Sequence, residues 1–278
     1  MQKKESLVVD GVVRGFLIYI PESAPEGEPL PVIISLHGTL GSAEQMMSFA
    51  DFRPIAEKEQ FLIVCPEGIT QTWNDGRATK AYQAGIDDVG FINQLITHLI
   101  SSFDADRSRI YITGMSNGGF MASRLACELP GRIAAIAAVA ATLDRAAGIR
   151  PLRPLPVMYI HGTRDRMVPY VGGATKAAGG DVYGHKEVLK LWADINECSA
   201  IPVVSHRDDM AQDGTSITKN EFSNAVTGMK VIGFTVEGGG HTWPDGPQYA
   251  PKNFVGLVSH NLNACEVIWD FFKQYHKS

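Results

Sequence analysis

RIYITGMSNGGFMASRLACEL, residues 109–129, carries three local signals in succession. Ile110, Tyr111, Ile112 and Thr113 form a short run of β-branched and aromatic residues, the composition of a buried strand. Gly114-Met115-Ser116-Asn117-Gly118-Gly119 follows, and then Phe120, Met121, Leu125, Ala126 and Leu129 recur at helical spacing. Strand, G-x-S-x-G and helix in that order predict a sharp turn that lifts the Ser116 hydroxyl clear of the backbone. Gly114 and Gly118 would leave room where a Cβ would meet the neighbouring strand or helix. The helix N-terminus points its unpaired N–H groups at the same spot, which favours developing negative charge. In a chain with 28 glycines such a pattern also arises by chance, so its weight depends on whether an acid and a base stand downstream in the right order.

Outward from this unit, strands and helices alternate. Runs at 31–36, 61–65, 133–139, 156–160 and 231–236 read as strands. Residues 43–60 read as a helix broken near Pro54, and 87–103, 187–195 and 261–275 as further helices. Residues 6–9 and 12–20 around Asp10-Gly11 predict a hairpin with a D-G turn. Residues 202–221 read as a polar antiparallel excursion, and 69–85 as polar and irregular. The alternation implies an α/β fold with a mostly parallel central sheet and helices on both faces. With no repeat, low-complexity linker or composition break, residues 1–278 are expected to form a single catalytic domain.

Composition narrows the function classes. The chain is 45% hydrophobic and 20% charged, with 25 basic against 30 acidic residues and no basic block. Nucleic acid and anionic membrane are therefore not expected partners. No apolar run approaches ~20 residues, so no transmembrane helix is expected. The start, MQKKESLVVDG, lacks the apolar core of a signal peptide, which fits either a protein kept in the cell or one without its leader. Cys65, Cys127, Cys198 and Cys265 form no C-x-x-C pair, so neither zinc nor a redox motif is expected, and no cofactor is implied. Cys65, Cys127 and Cys265 read as buried thiols. Cys198 lies on a loop, open to pairing or to staying free.

A serine hydroxyl near neutral pH needs a base within hydrogen-bond reach, and the base needs an orienting carboxylate. In α/β-hydrolases the chain order is Ser, acid, His. Here Ser116 comes first, Asp165 follows the 156–160 strand, and His241 follows the last strand inside Glu237-Gly238-Gly239-Gly240-His241. Each lies past the carboxyl end of a strand, where open α/β sheets gather ligands. Asp208, Asp209 and Asp213 compete with Asp165 but follow no clear strand. His37 and His161 end strands and read as structural. An oxyanion needs two N–H donors. One is expected from the backbone of Asn117, the other from the loop after the 31–36 strand, with Thr39 the first candidate and Leu40 the second. Trp73 and Trp243 lie on loops at this edge. They are candidate substrate walls for an aromatic acyl group or a sugar face, or each packs under its own loop. Asp87-Asp88 reads as a helix start.

Six segments in order, HGTLGS, WNDG, DDVGF, GMSNGG, HGTRDRMVPY and GGGHTWP, resemble the esterase/polyhydroxybutyrate-depolymerase family, which includes feruloyl and acetylxylan esterases of carbohydrate esterase family one. The resemblance spans roughly residues 10 to 275. It implies an α/β-hydrolase fold and a serine esterase with Ser116 as nucleophile, Asp165 as acid and His241 as base. Many relatives carry a cysteine near the position of Ala225, a potential partner for Cys198; its absence argues against that disulfide and against a solid polyester as substrate. Secreted members often carry a leader and polymer-degrading ones a linked binding domain, and neither is expected here. A soluble feruloylated or acetylated saccharide, or another small ester, is the expected substrate. Hydrolysis of hydroxybutyrate oligomers is the alternative within the same chemistry. A peptidase of the same fold and a non-catalytic binding module are the alternatives outside it.

Overall fold

The computed structural model describes residues 1–25, 27–176 and 178–277. The chain enters through a hairpin, β1 (Gln2–Val9) and β2 (Val12–Tyr19), turned at Asp10 and Gly11 with positive φ at both, as a tight D-G turn requires. There follow β3 (Leu30–Leu36), α1 (Ala43–Phe49), α2 (Arg53–Glu59), β4 (Leu62–Pro66), α3 (Lys80–Gln83), α4 (Asp88–Ser102), β5 (Ala105–Met115), α5 (Asn117–Glu128), β6 (Ala135–Val139) and β7 (Val157–Gly162). A small ribbon, β8 (Gly173–Ala174) and β9 (Asp181–Val182), precedes α6 (His185–Ile195). The antiparallel pair β10 (Val203–Arg207) and β11 (Ser216–Ser223) leads to β12 (Lys230–Glu237), then α7 (Lys252–Val255) and α8 (Ala264–Phe272).

One ten-stranded sheet runs in the order β1-β2-β4-β3-β5-β6-β7-β12-β11-β10. The six strands from β4 to β12 are parallel and the flanking strands antiparallel. Alternation within strands divides the core in two. Val32, Ile34, Ile110 and Ile112 face α4, α5 and α6, whereas Ile33, Tyr111, Ala135 and Ala137 face α1, α2 and α8. Both faces are covered, which is why these strands read as near-continuous apolar runs.

One expectation about elements holds and two need correction. The 43–60 helix breaks at residues 50–52, ahead of Pro54. Pro54 sits in the first turn of α2, where its missing N–H costs nothing. Residues 69–85 contain a 3-10 turn, Ile69–Gln71, and α3. The last helix is shorter than its apolar pattern, because the Asn263 side chain caps it at the Glu266 N–H. Asp87 caps α4 as expected. Asp88 instead lies buried, paired with Arg14 at 2.6 Å and accepting the Asn74 N–H at 2.7 Å, and so ties β2 to the Trp73–Arg77 segment. Among the described residues the four cysteines are unpaired, and no helix is long and apolar enough to cross a membrane.

Candidate active site

Ser116 sits between β5 and α5 with φ 55° and ψ −122°, a conformation that non-glycine residues rarely adopt. Its N–H donates to Val139 O (2.9 Å) and its carbonyl accepts from Phe120 N (2.9 Å), so both neighbours fix the turn. Close approach explains the flanking glycines. A Cβ on Gly118 would lie 2.1 Å from Leu36 O, and one on Gly114 would lie 2.6 Å from Gly118 O. The helix start is thereby pressed against the end of β3, and the loop after β3 lies beside Ser116.

Asp165, past the end of β7, is anchored by the N–H groups of Met167 and Val168, both donating to Oδ1 at 2.8 Å. Its Oδ2 accepts from His241 Nδ1 at 2.7 Å. His161 stands behind the same oxygen, with Nε2 3.3 Å from Oδ2 and 3.1 Å from Val168 O. Burial pushes the Asp165 carboxyl up, but the charge of His241 and the hydrogen bonds from His161 and His241 outweigh it. They hold the carboxyl well below the usual carboxylate range. With Nδ1–H given to Asp165, the Nε2 lone pair of His241 is free. His241 is fixed by its N–H to Val255 O (2.6 Å) and by Tyr249 Oη donating to its carbonyl (2.9 Å). Burial, with the Asp165 charge adding to it, pushes the Tyr249 hydroxyl up to about 12, so it stays a donor.

The glycine run before His241 answers two constraints. Gly238 has φ 75°, and a Cβ on Gly240 would lie 2.1 Å from Val255 O. The expectation of a tight turn holds for Gly238; Gly240 is needed because two chain segments touch.

Ser116 and His241 line one cavity of about 730 Å³, together with the residues 37–41 loop. No hydrogen bond links the Ser116 hydroxyl to His241 among the described residues; such contacts commonly tighten only with substrate bound. In the loop, Leu40 N–H is spent on Gln71 O (2.9 Å) and Gly41 N–H on Gly38 O (3.0 Å). The Thr39 N–H has no acceptor among the described residues, which separates Thr39 from Leu40. Asn117 opens α5, where a first-turn N–H is without a helical partner.

Trp73 and Trp243 require correction as substrate walls. Trp73 is fully buried, and its Nε1 donates to His37 O (2.9 Å). Trp243 is 1% exposed and packs edge-on against Phe49 and Phe52. Each supports a loop from beneath, because an indole on a short Gly/Pro-bounded loop buries more area inward than outward. The cavity presents Met46, Phe49, Tyr249 and Phe254 instead.

His37 is structural, as the sequence reading has it, but residue-type patterns missed the rest of a polar frame under the loops. The Asn117 side chain accepts from Trp73 N (2.6 Å) and donates to Trp73 O (3.0 Å) and Asp75 Oδ2 (2.7 Å). His37 accepts from Gly68 N at Nε2 (3.0 Å), which leaves Nδ1–H for Gly38 O (2.8 Å). Burial lowers its pKa, partly offset by the Gly38 bond, and keeps the ring in this neutral tautomer. Two polar residues abutting the glycines of the 37–41 and 114–119 motifs were the available signal. Among the described residues no group of three His, Cys, Asp or Glu side chains is arranged to hold a metal ion.

A phospholipase/carboxylesterase family model matches residues 23–179. NocK of Nocardia uniformis subsp. tsuyamanensis, which carries an esterase assignment, is 32% identical over 95% of this chain and 80% of its own length. Feruloyl esterase B of Piromyces equi is 28% identical over 94% of this chain, which spans only 45% of that protein. Among solved structures, the acetyl xylan esterase from Aspergillus awamori aligns over 86% of this chain and 94% of its own, with TM-score 0.58 and 17% identity. A thermostable esterase aligns over 99% and 63%, with TM-score 0.59 and 13% identity. At these identities the structural likeness speaks for the fold.

Proposed function

The chain belongs to the phospholipase/carboxylesterase family of α/β-hydrolases, and from that membership and the site's geometry we propose a serine carboxylic-ester hydrolase acting through an acyl-enzyme. The observation that carries the reading is the buried Asp165–His241 pair, 2.7 Å apart, on the cavity that Ser116 also lines. Feruloyl or acetyl esters of saccharides, or similar small soluble esters, are the proposed substrates. Relatives named for those activities and the apolar wall of Met46, Phe49, Tyr249 and Phe254 support that choice.

In this reading the Ser116 hydroxyl turns onto His241 Nε2 and gives up its proton as Oγ attacks the ester carbonyl. The Thr39 and Asn117 N–H groups hold the oxyanion. Collapse breaks the carbonyl–alkoxy bond, and the imidazolium protonates the leaving alcohol. Water, deprotonated by His241, then attacks the acyl-enzyme and releases the acid. Asp165 keeps the imidazole in the productive tautomer and stabilises its charged form.

The test is hydrolysis of methyl ferulate, an aryl acetate, an aryl butyrate and a hydroxybutyrate trimer by wild type and Ser116→Ala. Ferulate or acetate release that disappears in Ser116→Ala is the expected result. Cleavage of the trimer alone moves the substrate to hydroxybutyrate oligomers. Full activity in Ser116→Ala overturns the mechanism.

A further inference from the structure

Arg77 enters the cavity wall and has no part in the mechanism above. Its side chain is 4% exposed, and the guanidinium carbon lies 3.5 Å over the Phe120 ring. One edge of the fork is used: Nη2 donates to Asp75 Oδ2 at 2.5 Å and Nε at 3.2 Å. The other nitrogen, Nη1, has no acceptor among the described residues, and Arg77 lines the cavity. A buried guanidinium with half its donors idle is costly unless something else accepts from it.

The surrounding charges define what that partner is. Asp75 occupies one edge. Asp144 lies along the stem: a Cβ on Gly180 would be 3.1 Å from both Arg77 Cδ and Asp144 Oδ1. Asp75, paired at 2.5 Å, already cancels the guanidinium charge, so a ligand carboxylate gains little there, while a hydroxyl or ether oxygen still accepts the free N–H groups. The cavity is also unequal from end to end. Arg77 belongs to the α5 side of the sheet through Phe120, with Thr175 beside it on the wall, whereas Met46 and Phe49 belong to the α1 and α8 side. The apolar end suits an acyl group and leaves the Arg77 end for the alcohol.

We propose that Arg77 is a specificity residue whose Nη1 reads an uncharged oxygen, a hydroxyl or ring ether, on the alcohol portion of the ester. This rests on the esterase reading above. Asp75 holds the guanidinium in place and also accepts from the Asn117 side chain, so this alcohol site and the oxyanion donor share one carboxylate.

The experiment compares kcat/KM of wild type, Arg77→Met and Arg77→Lys on acetates that share an acyl group. One is a monoacetylated methyl xyloside. One is cyclohexyl acetate, whose ring lacks those oxygens. The third, acetoxyacetate, has an anionic alcohol. Arg77→Met is expected to lose roughly 10- to 100-fold on the xyloside ester and under about threefold on cyclohexyl acetate. Arg77→Lys keeps a cation on Asp75 but lacks the planar fork, so it is expected to keep most of the xyloside loss. Equal loss on both neutral acetates in Arg77→Met, restored on both by Arg77→Lys, would mean that Arg77 only braces Asp75 and Asn117, and the proposal falls. Wild-type preference for acetoxyacetate overturns the choice of an uncharged oxygen. If the wild type cleaves none of the three, the esterase reading fails first. If it cleaves them and both variants match it, only this proposal fails.

Discussion

Asn117→Asp changes one NH2 group to an oxygen and nothing in shape. In the folded protein that group donates to Asp75 Oδ2 at 2.7 Å and to Trp73 O at 3.0 Å, with Asn117 1% exposed. After substitution two carboxylates would face each other at the 2.7 Å spacing. At an effective dielectric of about 20 their repulsion is about 6 kcal/mol. Taking up a proton near pH 7 costs less, about 4 kcal/mol for a carboxyl of ordinary pKa near 3.9. The pair therefore folds with one proton bound. That proton restores a donor to one acceptor and leaves the other unpaired, a further cost of about 1–3 kcal/mol. The sign follows from the raised folded pKa of the pair: the protonation part of the penalty grows as pH rises above the unfolded value and vanishes as pH falls toward it, leaving the cost of the unpaired acceptor. Its slope has a ceiling of about 1.4 kcal/mol per pH unit, for one proton. Arg77 beside Asp75 lowers the raised pKa of the pair and so narrows the pH range over which that slope applies. Urea midpoints of wild type and Asn117→Asp at several pH values from about 5 to about 7.5 read this directly. A stability gap independent of pH, or below about 1 kcal/mol throughout, would refute the buried Asn117–Asp75 contact.

Four further outcomes are expected. Ser116→Ala should lower aryl acetate turnover by at least about 10⁴-fold, and a serine-directed phosphonate should label wild type only at the peptide holding Ser116, read by mass. Asp165→Asn should lower kcat by about 10⁴-fold through the wrong imidazole tautomer. Because the folded Asp165 carboxyl is held below its ordinary value, its stabilisation is full above that value and is lost as pH falls through the folded one. The thermal stability gap between wild type and Asp165→Asn should therefore narrow as pH falls below about 4. Gly240→Ala places a Cβ 2.1 Å from Val255 O, where backbone faces backbone, and should cost about 1–3 kcal/mol in denaturant unfolding while displacing His241 and reducing kcat. Trp73→Phe keeps a buried ring but loses the bond to His37 O. It should cost about 1 kcal/mol of stability and leave KM unchanged on small acetates, whereas a Trp73 that touched substrate would raise KM.

The sequence by itself determined the order of the main strands and helices, and that Ser116, Asp165 and His241 each follow a strand. Parallel strands buried on both faces are apolar throughout, so their runs stand out whatever they pair with. G-x-S-x-G records a steric fact, that a Cβ on Gly118 would lie 2.1 Å from Leu36 O at the end of β3, and steric facts of this kind leave glycines behind. Asp165 and His241 were legible because each follows a strand, and the ends of parallel strands meet in one place. What lies between strands was not legible. Whether Trp73 and Trp243 face substrate or core depends on which way a loop rolls, and that is set by contacts from segments distant in sequence, such as Asn117 to Trp73 and Phe49 to Trp243. The choice of Thr39 over Leu40 rests on one hydrogen bond from Leu40 N–H to Gln71 O, between loops that composition leaves unrelated. Asp75 and Arg77 fall in the 69–85 segment, which the sequence shows only as polar and irregular. Tertiary packing buries them against α5, and burial turns an ordinary ion pair into a fixed part of the cavity wall, because a desolvated charge holds only the geometry that satisfies it.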